Sequence, residues 1–174
     1  MPTPANLSFH RASPAHTAEV LSVLNEAADW LRRREVTQWP DRFEPSWIDE
    51  AITRGETWLV RAGDKAVGTL TLDWSDPLWS DVAGSAGYVH RMAVRRRAAG
   101  LGAVILDWAA DTVRLNRREV LRLDCVASNS GLRAYYEARG FVHRGDVPVG
   151  GAPGQRRDDG PRTWVSRYEL PLPG

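Results

Sequence analysis

The stretch from Tyr88 to Val113 constrains this chain more than any other. Tyr88–Val94 reads as a strand and runs directly into Arg95-Arg96-Arg97-Ala98-Ala99-Gly100-Leu101-Gly102. Beyond it, Leu101, Val104, Ile105, Trp108, Ala109 and Val113 recur at helical spacing, with Asp107, Asp111 and Arg114 left for the outer face. Strand, glycine-bearing turn and helix in immediate succession expose the first N–H groups of the helix. Those groups have no internal partner and carry the positive end of the helix dipole. Gly100 and Gly102, lacking a Cβ, let the backbone approach a ligand closely, and arginine donors suit phosphate oxygens. By itself the loop is equally consistent with a bound anion or a plain tight turn. It is neither G-x-x-x-x-G-K-S/T nor G-x-G-x-x-G, so a triphosphate P-loop and a dinucleotide fingerprint are both unsupported.

The remaining segments predict a sequence of elements around this core. Residues 7–11 read as a short strand, residues 14–34 as a helix with Ser13 placed to cap it, and residues 46–54 as a short helix ended by Gly55. Residues 57–62 and 66–73 read as two strands joined at Gly63-Asp64, a hairpin signal. The Asp-, Gly- and Ser-rich stretch 75–87 reads as loop. Residues 120–126 read as a strand, 129–139 as a helix stopped by Gly140, and 141–147 and 162–170 as two last strands. The expected order is therefore β-α-α-β-β-β-α-β-α-β-β, an α/β (α+β) single domain over residues 1–174. Its mixed, mostly antiparallel sheet should carry helices on both faces. Residues 1–6 and the loop 150–161 are expected to be flexible.

Composition excludes more than it assigns. The 23 Lys and Arg residues nearly balance 22 Asp and Glu, so bulk charge points to neither nucleic acid nor an anionic membrane. The single cysteine, Cys125, can form no internal disulfide and makes a thiolate metal site implausible; no metal is expected. No signal peptide or membrane-length apolar run is visible, so the chain reads as soluble and cytoplasmic. Its eight Trp residues are expected mostly in the core, with Trp39, Trp47, Trp74 and Trp79 as candidates for lining a pocket.

With Arg97-Ala98-Ala99-Gly100-Leu101-Gly102 behind a strand ending in Ala-Val, the sequence resembles the GNAT superfamily of acyl-CoA N-acyltransferases, whose signature is Q/R-x-x-G-x-G/A. A second block, Asn129 through Tyr136-Glu-Ala-Arg-Gly-Phe141, looks like the family's Asn, helix and Tyr-Glu-x-x-Gly-Phe ending. The specific motifs occupy residues 88–141. The stretch between Val94 and Gly100 is shorter by two residues than in many family members.

The resemblance implies acetyl-CoA as acyl donor, with its pyrophosphate on the amides of Arg97, Ala98, Ala99, Gly100, Leu101, Gly102 and Ala103. It implies a pantetheine arm alongside the backbone of Met92, Ala93 and Val94, with Asn129 on a pantetheine amide. Tyr136 is the implied general acid for the thiolate leaving group, and Tyr135 is expected to point elsewhere, into the core. A base must take the amine's proton. His90 is the first candidate, two residues before Met92 and so expected on the same strand face; imidazole is the side chain that titrates near neutrality. Asp73, Asp76 and a water chain are the alternatives.

The expected reaction is acetyl transfer to a primary amine of a small molecule, by direct attack in a ternary complex. The rival readings are a protein or peptide N-acetyltransferase and a non-catalytic acyl-CoA-binding module on the same fold. A phosphate- or nucleic-acid-binding protein is disfavoured by the charge balance. Homodimers occur in the family, which is analogy alone.

Overall fold

A computed structural model describes residues 6–98, 100–150 and 162–174. Residues 1–5, Ala99 and residues 151–161 lie outside the described residues, and with them most of both segments expected to be flexible. The elements are β1 (Leu7–Arg11), α1 (Thr17–Arg33), α2 (Pro45–Thr53), β2 (Thr57–Ala62), β3 (Lys65–Asp73), β4 (Ala86–Val94), α3 (Gly102–Leu115), β5 (Val120–Val126), α4 (Ser130–Ala138), β6 (Val142–Gly150) and β7 (Arg162–Pro171). Their order is the one the residues predict, in a mixed α/β domain.

One seven-stranded sheet runs β1-β2-β3-β4-β5-β7-β6. Every neighbouring pair is antiparallel except β4 and β5, which are parallel and linked through α3. Helices cover both faces. On one face Val20, Val23, Leu24 and Ala28 of α1 and Ile48 and Ile52 of α2 pack on Leu59, Ala66 and Ala93. On the other, Ile105, Ala109 and Val113 of α3 and Tyr136 of α4 pack on Val60, Leu70, Leu72, Val89, Leu121 and Leu123. Burial of each such aliphatic side chain is worth about 1.5–3 kcal/mol, so the two layers hold the sheet from both sides. This explains why β3 is buried from Ala66 to Leu72 rather than alternating.

Boundaries differ from the sequence reading where a side chain redirects the backbone. β4 begins two residues early, at Ala86. The presumed loop before it contains a short helical turn, Pro77–Trp79, capped by Asp76 Oδ1 accepting from Leu78 N–H at 2.9 Å. Pro14–His16 forms a separate turn ahead of α1, and Ser13 N–H donates to His16 Nδ1 at 2.9 Å. Among the described residues no helix is long and apolar enough to cross a membrane.

Candidate active site

β4 and β5 pair only at Ala86–Tyr88 against Val120–Arg122 and then separate. A cavity of about 890 Å³ occupies the resulting wedge, with Val89–Val94 on one side and Leu123, Asp124 and Val126 on the other. Arg95 N–H donates to the Val67 carbonyl at 2.9 Å, on the β3 side. Backbone alternation then turns the N–H groups of Val94 and Met92 the other way, toward the wedge. A strand edge is thus left open in the middle of a sheet, where an extended amide-bearing ligand can add to it.

At the wide end of the wedge lies the glycine-bearing loop. Arg96–Ala98 make a single helical turn, Gly100 takes φ 99°, and α3 starts at Gly102. Leu101 stands at the helix N-cap and offers no side-chain acceptor, so the first-turn amides of α3 remain available to an anion. The arginines divide their work. Arg95 is structural: its Nε donates to the Ala66 carbonyl (2.8 Å), and its other nitrogens reach Glu26 and Ser22 of α1. Arg96 gives its backbone N–H to Glu26 (2.9 Å) and lays its guanidinium over Trp30 at 3.9 Å. Arg97 is exposed. Ala93, Ala98 and Leu101 have their side chains in the core, so any part they take in binding belongs to their backbones.

α4 supplies the wedge's other wall. Asn129 caps it, its Oδ1 accepting from Leu132 N–H at 3.1 Å, and two turns later Tyr136 lines the same cavity. The Tyr136 ring is buried among Phe141, Tyr168 and Tyr135. Burial, with Cys125 and Asp124 nearby, pushes its phenol well above the ordinary tyrosine value, so it stays protonated. Tyr135 is not in the core as expected. It is 36% exposed, lines the cavity, and brings its hydroxyl to the start of α3, beside Gly102.

His90 and Met92 do not share a face. The pairing of β3 with β4 steps between Thr69 and Thr71, and Arg91 sits at φ 47°. This bulge resets the alternation: Met92 packs with the α3-side core, whereas His90, opposite Thr71, faces the α1 and α2 side. There its Nε2 stands 3.3 Å from Asp73 Oδ2 and 3.7 Å from Asp76 Oδ2. Among the described residues, Asp76, His90 and Asp124 also form a group whose ligand atoms lie within 4.8 Å of one another. Arg91 donates to the Trp47 carbonyl at 2.9 Å and lies over Phe43, which ties the bulge to α2.

The model of the acetyltransferase (GNAT) family matches residues 24–141. The chain belongs to the GNAT acetyltransferase family. It is thus an N-acetyltransferase, and the activity general to such enzymes is acetyl transfer from acetyl-CoA. Over 137 residues it is 30% identical to the uncharacterized N-acetyltransferase YesJ of Bacillus subtilis, spanning 72% of this chain and 76% of that one. Two solved structures share the fold. A GNAT-family acetyltransferase from Listeria monocytogenes has a TM-score of 0.74 at 24% identity, over 95% of both chains. YncA of Salmonella typhimurium, a putative acetyltransferase with its cofactor acetyl-CoA, has a TM-score of 0.61 at 16% identity, over 97% of this chain and 95% of that one.

Within this GNAT domain the structure adds residues that the sequence reading passed over. Gln38 reaches the wedge from the connection between α1 and α2, and its Oε1 accepts from Val126 N–H (3.0 Å) and Asn129 Nδ2 (3.1 Å). Glu56 lines the same cavity as His90 and Asp73. Of the tryptophans named as pocket candidates, Trp39 and Trp47 line it together with Trp30. Trp79 is instead buried against Tyr88, and Trp74 packs at the edge of the α3-side core.

Proposed function

We propose that the enzyme acetylates a primary amine of a small, cationic molecule by direct attack within a ternary complex with acetyl-CoA. The observation that carries this reading is the single cavity lined on one side by Tyr136 and Asn129 and on the other by His90 and Asp73. The pyrophosphate takes the first-turn amides of α3 from Gly102 onward, with the loop before it and Arg97 alongside. The pantetheine arm runs in the wedge, against the N–H groups of Met92 and Val94, and the N–H of Met92 polarises the thioester carbonyl. The amine nitrogen attacks that carbonyl, the C–S bond breaks, and Tyr136 gives a proton to the departing thiolate. The nitrogen's surplus proton passes to His90, directly or through a water.

Three features favour a small cationic acceptor. The cavity's size is of the order used for small ligands, and Trp39 and Trp47 wall its acceptor end. Glu56, Asp73 and Asp124 give that end acidic character; burial, with the Asp73 charge close by, holds the Glu56 carboxyl above its ordinary value, and an ammonium group would relieve that repulsion. Asp73 Oδ1 is buried and accepts no hydrogen bond among the described residues, leaving an acceptor for an amine N–H. Thiol release from acetyl-CoA, measured across diamines, neutral amines, amino acids and lysine-bearing peptides, tests the proposal. Release should be fastest with small diamines. Preference for peptides would favour the protein-acetylating alternative, and CoA binding without release would favour a non-catalytic module.

A further inference from the structure

The connection between α1 and α2 is fastened at both ends to its own layer. Val36 N–H donates to the Leu31 carbonyl at 3.0 Å, and Phe43 N–H donates to Asn25 Oδ1 at 2.7 Å. Between these anchors Gln38 leaves the layer and crosses to the far wall of the wedge. Its side-chain oxygen accepts from two groups at once, Val126 N–H and Asn129 Nδ2. Val126 lies past the last residue at which β5 pairs with β4, Arg122, so its N–H has no strand partner on that side. Asn129 spends its Oδ1 on the cap of α4, which leaves its Nδ2 for the wedge. The Gln38 carboxamide therefore satisfies the two donors that an amide carbonyl entering the wedge would meet.

We infer that Gln38 is an internal surrogate for an amide of the acyl-donor arm, and that the arm must displace it to bind. This rests on the reading above that the arm lies between β4 and β5. Gln38 is a positioning residue, not a catalytic one. While it is seated it draws the α1–α2 connection, with Trp39 beside it, over the wedge. Displacement frees the connection on the acceptor side, so donor binding and acceptor-site shape are linked, and the donor enters first. A carboxamide fits this use because a neutral acceptor is held firmly enough to spare buried donors but loosely enough to exchange for another amide.

The test compares CoA affinity by calorimetry in the wild type, Gln38→Met and Gln38→Glu. Methionine keeps the length and apolar bulk but accepts hydrogen bonds weakly; glutamate accepts from the same donors more strongly. CoA should bind Gln38→Met about fivefold more tightly than the wild type and Gln38→Glu about fivefold more weakly, on the net worth of the exchanged hydrogen bonds. Pantetheine, which has the arm without the phosphates, should give the same order. In turnover, Gln38→Met should lower the KM for acetyl-CoA with kcat within about twofold, a split that a role in folding alone would not produce. Equal affinities, or the reverse order, overturn the inference. Loss of CoA binding in all three proteins, wild type included, would instead overturn the donor-site reading and the surrogate with it.

Discussion

His90 Nε2 stands 3.3 Å from Asp73 Oδ2, across the pairing of β4 with β3 and on the sheet face away from Met92. His90, the proposed base, and the backbone proposed to bind the donor thus lie on one strand, the imidazole on the face toward α1 and α2 and the N–H groups along the edge. An acceptor amine reaching His90 from the α1 and α2 side meets a thioester carried along the strand edge. His90→Gln should lower kcat/KM about 100-fold, the range of general-base catalysis. A limb of the pH–rate profile should vanish with it. Asp73→Asn should lower the rate less and keep that limb. An unchanged His90→Gln profile would transfer the role to Asp73, Asp76 or water.

Tyr136→Phe removes a proton donor and little else, because the ring stays packed against Phe141 and Tyr168. Turnover should fall about 100-fold, while CoA affinity by calorimetry stays within about twofold of the wild type. Tyr135→Phe provides the contrast. Its hydroxyl lies by the start of α3, so it should weaken CoA binding modestly and leave kcat nearly intact.

At Gly87 β4, still paired with β5, lies close against α3. A Cβ there would collide with Val113 Cγ2, on a stiff and fully buried side chain, and would come within 3.2 Å of Trp74. Gly87→Ala should cost about 1–3 kcal/mol in denaturant unfolding. Adding Val113→Ala should cost less than the two single changes summed, since each relieves the other. Strict additivity would show that the helix moves away as a body.

Cys125 is buried in the α3-side core, and that burial, with Asp124 close by, pushes its thiol up to about 12. The unfolded thiol ionises near about 8.5. Between these values the folded chain holds a proton that the unfolded chain has released. This contribution to stability is whole below the unfolded value and is lost as pH rises toward the folded one, by at most about 1.4 kcal/mol per unit. Denaturant titrations from pH 8 to 11 should show the loss, Cys125→Ala should flatten it, and thiol reagents should label Cys125 only after unfolding.

Much of this was legible in the residues. The element order follows from apolar period and glycine placement, and β1 and β2 match residue for residue. The seven-residue interval from Asn129 to Tyr136 put both on one wall of the wedge, because α4 is a regular helix between them. The failures share a cause, which is departure from regular backbone or dependence on distant partners. The parity linking His90 to Met92 breaks at Arg91, a residue type with no left-handed preference to announce a bulge. Tyr135 is expected in the core, but α3 does not close over it, and only the packing of α3 on α4 decides that. Gln38 gave no signal, since its partners lie 88 and 91 residues away.

The early parting of β4 and β5 also bears on where this protein opens. In most sheets the central strands exchange their amide hydrogens slowest, and protection declines toward the edges. Here the seam lies at the fourth and fifth of seven strands, so the gradient has a dip at its centre. Amides facing the wedge from β4 should exchange orders of magnitude faster than their alternate neighbours bonded to β3. Backbone pairing joins the two half-sheets only over that short stretch, and α3 packed across both does the rest; a ligand that pairs with the open edges should slow the exchange at this seam.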